Sequence, residues 1–336
     1  MDILTSKIKN DFKLPIVIDK TSFLPGEQGE VKIPVGRMPS DTRLYVNTFV
    51  FRSKHPGPTL YLQSGVHGDE INGIEINNQL LKSGVFDNLL RGNVIIIPLL
   101  NVFGFNNFSR DVPDGKDVNR SFPGILNGSL ASRVARTVTK NILPFVDLAI
   151  DLHTGGASRF NHPQVRFYGL ESNSQQIANQ FNAPLSIHQF YIPKSFRKAC
   201  KDLNIPAVVY EAGESIRLDG NSIEIGKRGI LRVMAGLDMI NLDANSIESQ
   251  EIPNKVIMDT DWLRAKQSGI FIWAKSAGDV VKKGTVLGVI KDPYASKYNE
   301  VVSKLEGTII GHNNASVVSQ GDALFHIGTK YANNGF

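Results

Sequence analysis

Three residues of the kind that bind zinc stand in two short motifs far apart in the sequence. His67 and Glu70 belong to HGDE, and His153 belongs to DLHTGG. Two imidazoles and one carboxylate form a ligand set that leaves a fourth position for water, as in hydrolytic zinc sites. Each motif alone is more typical of an ordinary surface or strand-terminal histidine than of a metal ligand. Because the chain has only seven histidines, the two motifs together predict one zinc ion bound by these three residues.

A hydrolytic metal site also needs a base, and the segment VVYEAGES offers two glutamates. Glu211 follows an apolar run directly, whereas Glu214 stands further into the next loop and is the second choice. A base beside the metal accepts a proton from the attacking water. The alternative for Glu211 is a structural role at the start of the following segment. We expect Glu211 to be the base.

Polar residues in the stretch 106–128 are candidates for contacts with the substrate. Arg110 and Arg120 carry guanidinium groups, which stabilise an oxyanion or pair with a carboxylate through two hydrogen bonds. Asn119 adds an amide beside Arg120. Each arginine alone is also explained by ion pairs inside its own loop. The aspartates available for such pairs are Asp111, Asp114 and Asp117.

Alternating apolar and amphipathic segments predict the framework that positions these residues. Apolar runs typical of strands occupy residues 43–53, 58–66, 93–101, 145–153 and 207–213. Patterns typical of helices occupy residues 69–84, 129–143, 172–182, 193–204 and 221–240. Strands that alternate with helices predict an α/β fold, with a mixed, largely parallel sheet and helices on both faces.

The candidate residues stand where the predicted strands end. His67, His153 and Glu211 lie at or just after such ends, and open α/β sheets bind their ligands at that edge. Asp151 lies two residues before His153, on the same strand face, and is a candidate hydrogen-bond partner for this histidine. We therefore expect distant segments to converge on one cleft.

The character of the sequence changes after the hydrolytic motifs. Short β-like runs punctuated by glycine follow without a convincing helix, so we predict a hydrolase domain over 1–250 and a small all-β domain over 255–330. The glycine pattern resembles the hammerhead, or barrel-sandwich, fold of biotinyl and lipoyl carriers. Lys297 lacks the methionines that flank a carrier lysine, so a structural or cleft-covering role is expected. His312 and His326 are expected to be packing or surface residues rather than ligands.

Composition limits the classes of function. The chain has 336 residues and a formal net charge of +5, too mild an excess to predict a nucleic-acid partner. No apolar run reaches the roughly 18 to 20 residues of a membrane span, and the N-terminus lacks the apolar core of a signal peptide. The single cysteine, Cys200, excludes an intramolecular disulfide, so we expect a cytoplasmic location. A homo-oligomer is left open.

The densest basic stretch is IPKSFRKACKDL, residues 192–203. It contains Lys194, Arg197, Lys198 and Lys201. This spacing predicts one solvated face of a helix. The weaker alternative is that these charges attract anionic substrates toward a cleft.

The motifs also occur in a recognisable order. HGDE (67–70), R-x6-D-x-NRSFPG (110–124), DLHTG and YEAGES together resemble the M14 zinc metallocarboxypeptidases. The sequence is more closely similar to their succinylglutamate desuccinylase and aspartoacylase branch. The resemblance covers essentially the whole chain, including the β-rich C-terminal part.

This resemblance implies a role for each candidate residue. The two histidines and the glutamate named first bind zinc, and Glu211 activates the water. Arg110 polarises the scissile carbonyl, while Asn119 and Arg120 hold a carboxylate of the substrate. Arg166, in NHPQVRFYG, is a further candidate for substrate selectivity, with an ordinary surface position as the alternative.

The implied reaction is zinc-dependent hydrolysis of the amide bond in an N-acylated amino acid or related small amide. One alternative is a carboxypeptidase or murein-peptide amidase that uses the same site on a short peptide. Another is a non-catalytic metal-binding protein. Zinc follows from the ligand types, and similar sites also take cobalt or manganese. The motifs specify the reaction rather than the shape of the pocket, so all of these stay open.

Overall fold

The computed structural model describes residues 11–170, 172–242, 254–294 and 298–332. Up to residue 242 the strands are β1 (Ile16–Ile18), β2 (Thr21–Phe23), β3 (Gln28–Arg37), β4 (Arg43–Arg52), β5 (Thr59–Ser64), β6 (Asn93–Ile97), β7 (Leu148–Gly155), β8 (Arg159–Phe167), β9 (Leu185–His188) and β10 (Ala207–Glu214). The helices of this part are α1 (Asn72–Ser83), α2 (Val102–Asn106), α3 (Leu130–Asn141), α4 (Asn173–Phe181), α5 (Phe196–Asp202) and α6 (Gly220–Gly236). Short 3-10 turns span Val118–Arg120 and Leu143–Phe145.

The described residues from 254 onward form strands only. They are β11 (Lys255–Arg264), β12 (Gly269–Trp273), β13 (Val280–Val281), β14 (Val286–Lys291), β15 (Tyr298–Val302), β16 (Gly307–Asn313), β17 (Val317–Val318) and β18 (Ala323–Tyr331). The prediction of an all-β C-terminal part is confirmed for this described segment.

A twelve-stranded mixed sheet runs through the molecule in the order β13-β16-β18-β11-β9-β8-β10-β7-β5-β6-β4-β3. The central pairs β6–β5, β5–β7 and β7–β10 are parallel, whereas β4 and β3 add an antiparallel edge. Every residue of β5, β6 and β7 is buried. Continuous apolar runs are expected for strands that are covered on both faces. The predicted mixed α/β sheet is confirmed.

Helices cover both faces of this sheet, as predicted. On one face α1, α4 and α6 contribute Ile76, Phe181 and Ile230 to a buried cluster. On the other face α3 and α5 contribute Val134 and Phe196 to a second cluster. Among the residues that the structure describes, no helix combines the length and apolar character needed to cross a bilayer.

Among the strands before residue 242, the sequence patterns miss β1, β2, β3, β8 and β9. Strand β3 contains two glycines, a proline and several charges, and only alternate residues are buried. Strand β9 has only four residues. Propensity is weak in both segments, and pairing with neighbouring strands determines their structure.

The C-terminal strands are hydrogen-bonded to strands of the N-terminal part. Strand β11 pairs in parallel with β9, and β16 pairs with β8. Strands β13 and β18 also belong to the large sheet, and the other four form a separate sheet, β15-β14-β12-β17, which packs on the end of the large sheet around Leu287 and Phe325. The predicted domain boundary falls in 243–253, and Lys297 falls in 295–297. Both lie outside the described residues, so the division of the chain into two domains stays a prediction.

Candidate functional site

The three predicted zinc ligands come from the loop between β5 and α1 and from β7. His67 and Glu70 lie in the loop, and His153 lies in β7 beside β5. The loop packs tightly on α2, since a Cβ atom at Gly68 would lie 2.1 Å from the backbone of Gly104. It is also tied to β7, because the backbone N–H of Thr154 donates to Oε2 of Glu70 at 2.9 Å. These contacts fix the loop against the strand that carries the second histidine.

The ligand atoms face one another at the spacing of a single metal site. Nδ1 of His67 and Nδ1 of His153 lie 3.2 Å apart. Oε1 of Glu70 lies 2.7 Å from the first of these nitrogens, and Oε2 lies 2.9 Å from the second. Zinc bonds of 2.0–2.1 Å in a tetrahedron place ligand atoms about 3.3 Å apart. The three buried side chains therefore fit one zinc ion with small adjustments.

Two aspartates orient the histidine rings. Nε2 of His67 lies 3.2 Å from Oδ1 of Asp117, and Nε2 of His153 lies 2.8 Å from Oδ2 of Asp151. A ring nitrogen that donates to a carboxylate carries the proton, so the lone pair of each Nδ1 faces the common point. Asp151 occupies the predicted place. The sequence predicts Asp117 only as a partner for an arginine.

Electrostatics at the site favour positive charge between the rings. Burial lowers the pKa of His153, but Asp151 and Glu70 outweigh burial and raise it well above its ordinary value. Burial alone would also lower the pKa of His67, yet Glu70 and Asp117 raise it. Burial raises the pKa of Glu70, but the two histidines bring it well below its usual value. A divalent cation at this point would supply the positive charge that the carboxylates of Glu70, Asp117 and Asp151 favour.

Glu211 lies next to this cluster on β10. It pairs in parallel register with His153 of β7, so both side chains emerge on the same face of the sheet. Its side chain is 15% exposed, and its Oε1 lies 2.9 Å from Nη1 of Arg166. Glu214, the second choice, accepts a hydrogen bond from Asn314 and lines a different cavity. Glu211 is the one of these two glutamates that faces the cluster.

Arg110 reaches the ligand atoms from the long loop. Its Nη1 lies 3.1 Å from Nδ1 of His67 and 3.2 Å from Oε1 of Glu70. Its Nη2 donates to Oδ2 of Asp117 at 2.9 Å. Arg110 and Asp117 therefore form an ion pair within the loop, and this pair holds the guanidinium of Arg110 beside the candidate metal position.

Asn119 and Arg120 lie in the 3-10 turn and line the cleft. Oδ1 of Asn119 accepts from the backbone N–H of Phe196 at 2.8 Å, which fixes the orientation of the amide. Arg120 is exposed, and its Nη1 donates to the carbonyl oxygen of Asn119 at 2.7 Å. Together with Arg166 and the residues above, they line one cleft of about 370 Å³. The structure thus brings all eight predicted site residues together.

One expectation for the basic stretch is wrong. Lys194 and Lys201 are exposed as predicted, but Arg197 is only 6% exposed and lines the cleft. The N-terminal turn of α5 packs against the sheet through Phe196, which carries the next residue inward. Nη2 of Arg197 donates to the carbonyl oxygen of Phe190 at 2.9 Å. Arg159 also lines the cleft and was not among the candidates.

The C-terminal segment contributes Trp262 to the same cleft. Trp262 on β11 stands opposite His326 on β18, and the two rings stack with centroids 4.3 Å apart. Burial, with a smaller effect of Arg166, lowers the pKa of His326 to about 3, so this ring is neutral near pH 7. His326 and His312 are both buried packing residues, which agrees with the expectation. No local pattern marks Trp262, because its position depends on the pairing of β11 with β9.

Comparisons with known proteins identify relatives of this chain. A family model for the succinylglutamate desuccinylase/aspartoacylase catalytic domain matches residues 56–237. The N-alpha-acetyl-L-2,4-diaminobutyric acid deacetylase of Halomonas elongata is 28% identical over 322 residues, which cover 93% of this chain and 88% of the relative. These relatives are named for the removal of acyl groups.

Solved structures show the same fold over nearly the whole length. A succinylglutamate desuccinylase/aspartoacylase from Rhodobacter sphaeroides has a TM-score of 0.81 and 25% identity, covering 91% of this chain and 96% of that chain. The product-bound ectoine utilization protein EutE from Ruegeria pomeroyi has a TM-score of 0.80 and 24% identity, covering 90% and 95%. The matched family domain spans more than half of the sequence and contains the candidate ligands and Glu211. The chain belongs to the succinylglutamate desuccinylase/aspartoacylase family.

Proposed function

We propose that this protein is a zinc-dependent hydrolase that cleaves the amide bond of an N-acylated amino acid. The observation that carries the proposal is the meeting of two imidazole Nδ1 atoms and the carboxylate of Glu70 at one point. Glu211 and Arg110 lie beside that point in the same cleft. The names of the relatives support removal of an acyl group as the reaction.

The three ligands would hold one zinc ion per chain. The aspartates that contact the two histidine rings would keep these rings in place. Zinc, when bound, polarises the acyl carbonyl and makes the attacking water more acidic. Asp117 and Asp151 keep the rings of His67 and His153 in the orientation and tautomer that present Nδ1.

The side chains around the metal position divide the proton transfer and the charge stabilisation between them. Glu211 takes one proton from the attacking water and delivers it to the amine nitrogen as the C–N bond breaks. The products are a carboxylic acid and a free amine. Arg110 donates hydrogen bonds to the oxygen that becomes negative, and loss of one such donor typically costs about 10²–10³ in kcat.

The remaining residues select the substrate. Asn119 and Arg120 bind the carboxylate of the amino acid, and Arg166 with Arg197 favours a second negative group. Arginines exceed acids along the cleft: Arg110, Arg120, Arg159, Arg166 and Arg197 face Glu70, Asp151 and Glu211. A cleft of about 370 Å³ lies at the small end of ligand sites. Charge and size together favour a small anionic amide over a peptide.

The C-terminal strands and the cellular location complete the proposal. Trp262 reaches the cleft from β11, which supports a cleft-covering role for a C-terminal β domain. The chain has a single cysteine, a composition that is compatible with a reducing cytoplasm as the compartment.

The test is a substrate panel measured with zinc-loaded protein. We expect release of free amine from one or more acidic N-acyl amino acids, loss of this activity with a chelator, and recovery on adding zinc. Glu211→Gln should bind zinc equally well and remain inactive. Cleavage of short peptides without turnover of acyl amino acids would establish the peptidase alternative. Stoichiometric zinc without any turnover would establish the non-catalytic one.

A further inference from the structure

The proposed base is held on both oxygens by side chains of one neighbouring strand. Nη1 of Arg166 lies 2.9 Å from Oε1 of Glu211, and Nδ2 of Asn161 donates to Oε2 at 2.7 Å. Both residues belong to β8, which runs antiparallel to β10. Glu211 therefore shares its negative charge with a guanidinium that is itself only 18% exposed.

Arg166 also has a donor that Glu211 does not use. Its Nε is buried and has no hydrogen-bond partner among the described residues. The same holds for Nη1 of Arg197, a residue that is 6% exposed and lines the cleft. Arg166 and Arg197 line the same cleft, and burial, followed by the charge of Arg166, lowers the pKa of Arg197 to about 10. Two cations that line one cleft and have unsatisfied donors are suited to a carboxylate.

The chemistry at Glu211 changes the charge beside Arg166. When Glu211 takes a proton from the attacking water it becomes neutral, and Arg166 loses its counter-ion. An unpaired charge in a largely buried place is costly. A carboxylate of the substrate on Arg166 and Arg197 supplies the missing negative charge during that step. When the proton passes on to the amine nitrogen, Glu211 becomes negative again.

We propose that Arg166 is a positioning residue that couples an anionic group of the substrate to the base, so that this group raises kcat and does not merely lower KM. The proposal rests on the proposed function and deepens it. Under this proposal, fast turnover requires a second carboxylate on the substrate. Arg166 transmits the effect of that carboxylate, because this residue contacts the base and lines the substrate subsite.

A matched pair of substrates measures this coupling. N-acetyl-L-glutamate and N-acetyl-L-glutamine have nearly the same size and differ in one negative charge. We expect kcat to be about tenfold higher for the acid in the wild type, and the ratio to fall to about one in Arg166→Met. Arg166→Lys should recover part of the ratio. Arg43→Met, a similar change at an exposed strand position, should leave it unchanged.

A binding measurement on metal-free protein gives a readout independent of turnover. The chain has two tryptophans, so Trp273→Phe leaves Trp262 in the cleft as the single fluorescent reporter. Succinate should produce a saturable fluorescence change, succinamide should not, and Arg166→Met should weaken succinate binding by about tenfold or more. Removing the metal prevents succinate from binding to zinc instead.

The outcomes separate this inference from the proposed function. Equal kcat for the acid and the amide, with any difference confined to KM, would overturn the coupling. Equal succinate affinity in wild type and Arg166→Met would overturn it as well, regardless of turnover. If the protein hydrolysed no N-acyl amino acid at all, the proposed function and the coupling would both be overturned. This would hold even if succinate binding still required Arg166.

Discussion

The two ends of the cleft differ in how their charges are satisfied. At the metal end, His67, Glu70 and His153 contact one another at 2.7–3.2 Å, and aspartates hold the outer ring nitrogens. At the arginine end, Nε of Arg166 and Nη1 of Arg197 are buried without partners among the described residues. All ligand atoms at the metal end have partners within the chain, whereas these two donors at the arginine end have none among the described residues.

This difference separates construction of the metal site from recognition of the substrate. A buried donor without a partner costs about 1–3 kcal/mol, and a ligand that accepts a hydrogen bond from the donor removes that cost. The metal end is held by side chains that fold together, so it exists before substrate binds. The arginine end is expected to reach its lowest energy only with an anion present. Substitutions at the two ends should therefore change different quantities.

The largest effect on kcat is expected at Glu211, which lies between the metal end and the arginine end of the cleft. Glu211→Gln keeps the shape of the side chain but removes its ability to accept a proton. We expect kcat to fall by about 10²–10⁴, while bound zinc stays at one ion per chain. Steady-state kinetics and metal analysis of the same sample measure both. A decrease of less than tenfold would assign the base to another group.

Zinc affinity should depend on the aspartates that contact the histidine ligands. Asp117→Asn removes a charge that both His67 and Arg110 contact. We expect zinc affinity to fall by about 10–100-fold, measured by competition with a chelator. Asp114→Asn is the matched control, since Asp114 lies in the same loop with a side chain 41% exposed and pairs only with Lys116 among the ion pairs found. Equal losses in both variants would point to a general effect of loop charge.

Substitutions at the arginine end should change the affinity for the substrate. Arg197→Met removes an inward guanidinium and should raise KM for acidic substrates by about tenfold, while zinc content stays unchanged. Lys201→Met on the exposed side of α5 should leave KM as it is. Thermal melting of both variants reports any loss of folding. A lowered zinc content in Arg197→Met would contradict the separation of the two ends.

The smallest effect concerns pH and the C-terminal wall of the cleft. The pKa of His326 is lowered to about 3, so between that pH and about 6.5 the unfolded chain binds a proton at this residue and the folded chain does not. Its contribution to stability is present above pH 6.5 and is lost as pH falls. From pH 7 to pH 5 the stability advantage of metal-free wild type over His326→Gln should shrink by about 2 kcal/mol. Urea unfolding at both pH values measures this, and a constant advantage would show that His326 does not titrate as described.

Much of the metal end is predictable from the sequence. His67, His153 and Glu211 stand at the ends of apolar strands, and parallel strands bring such ends to one edge of the sheet. Asp151 is predictable because alternate residues of a strand share a face. These inferences need only the periodicity of one segment and a general rule about sheets.

The arginine end depends on contacts that no local pattern encodes. Arg197 has the spacing of a solvated helix face, yet the packing of Phe196 turns it inward. Trp262 enters the cleft because β11 pairs with β9, some 70 residues earlier in the chain. Asp117 is visible in the sequence as an acid near arginine, but its contact with His67 requires the loop to fold back over the metal position.

The most direct test of the account is anomalous X-ray scattering at the zinc absorption edge from crystals of the zinc-loaded protein. The account predicts one peak per chain, within about 2.0–2.2 Å of Nδ1 of His67, Nδ1 of His153 and an oxygen of Glu70. A peak bound elsewhere, or the absence of a peak at these three atoms, would contradict it.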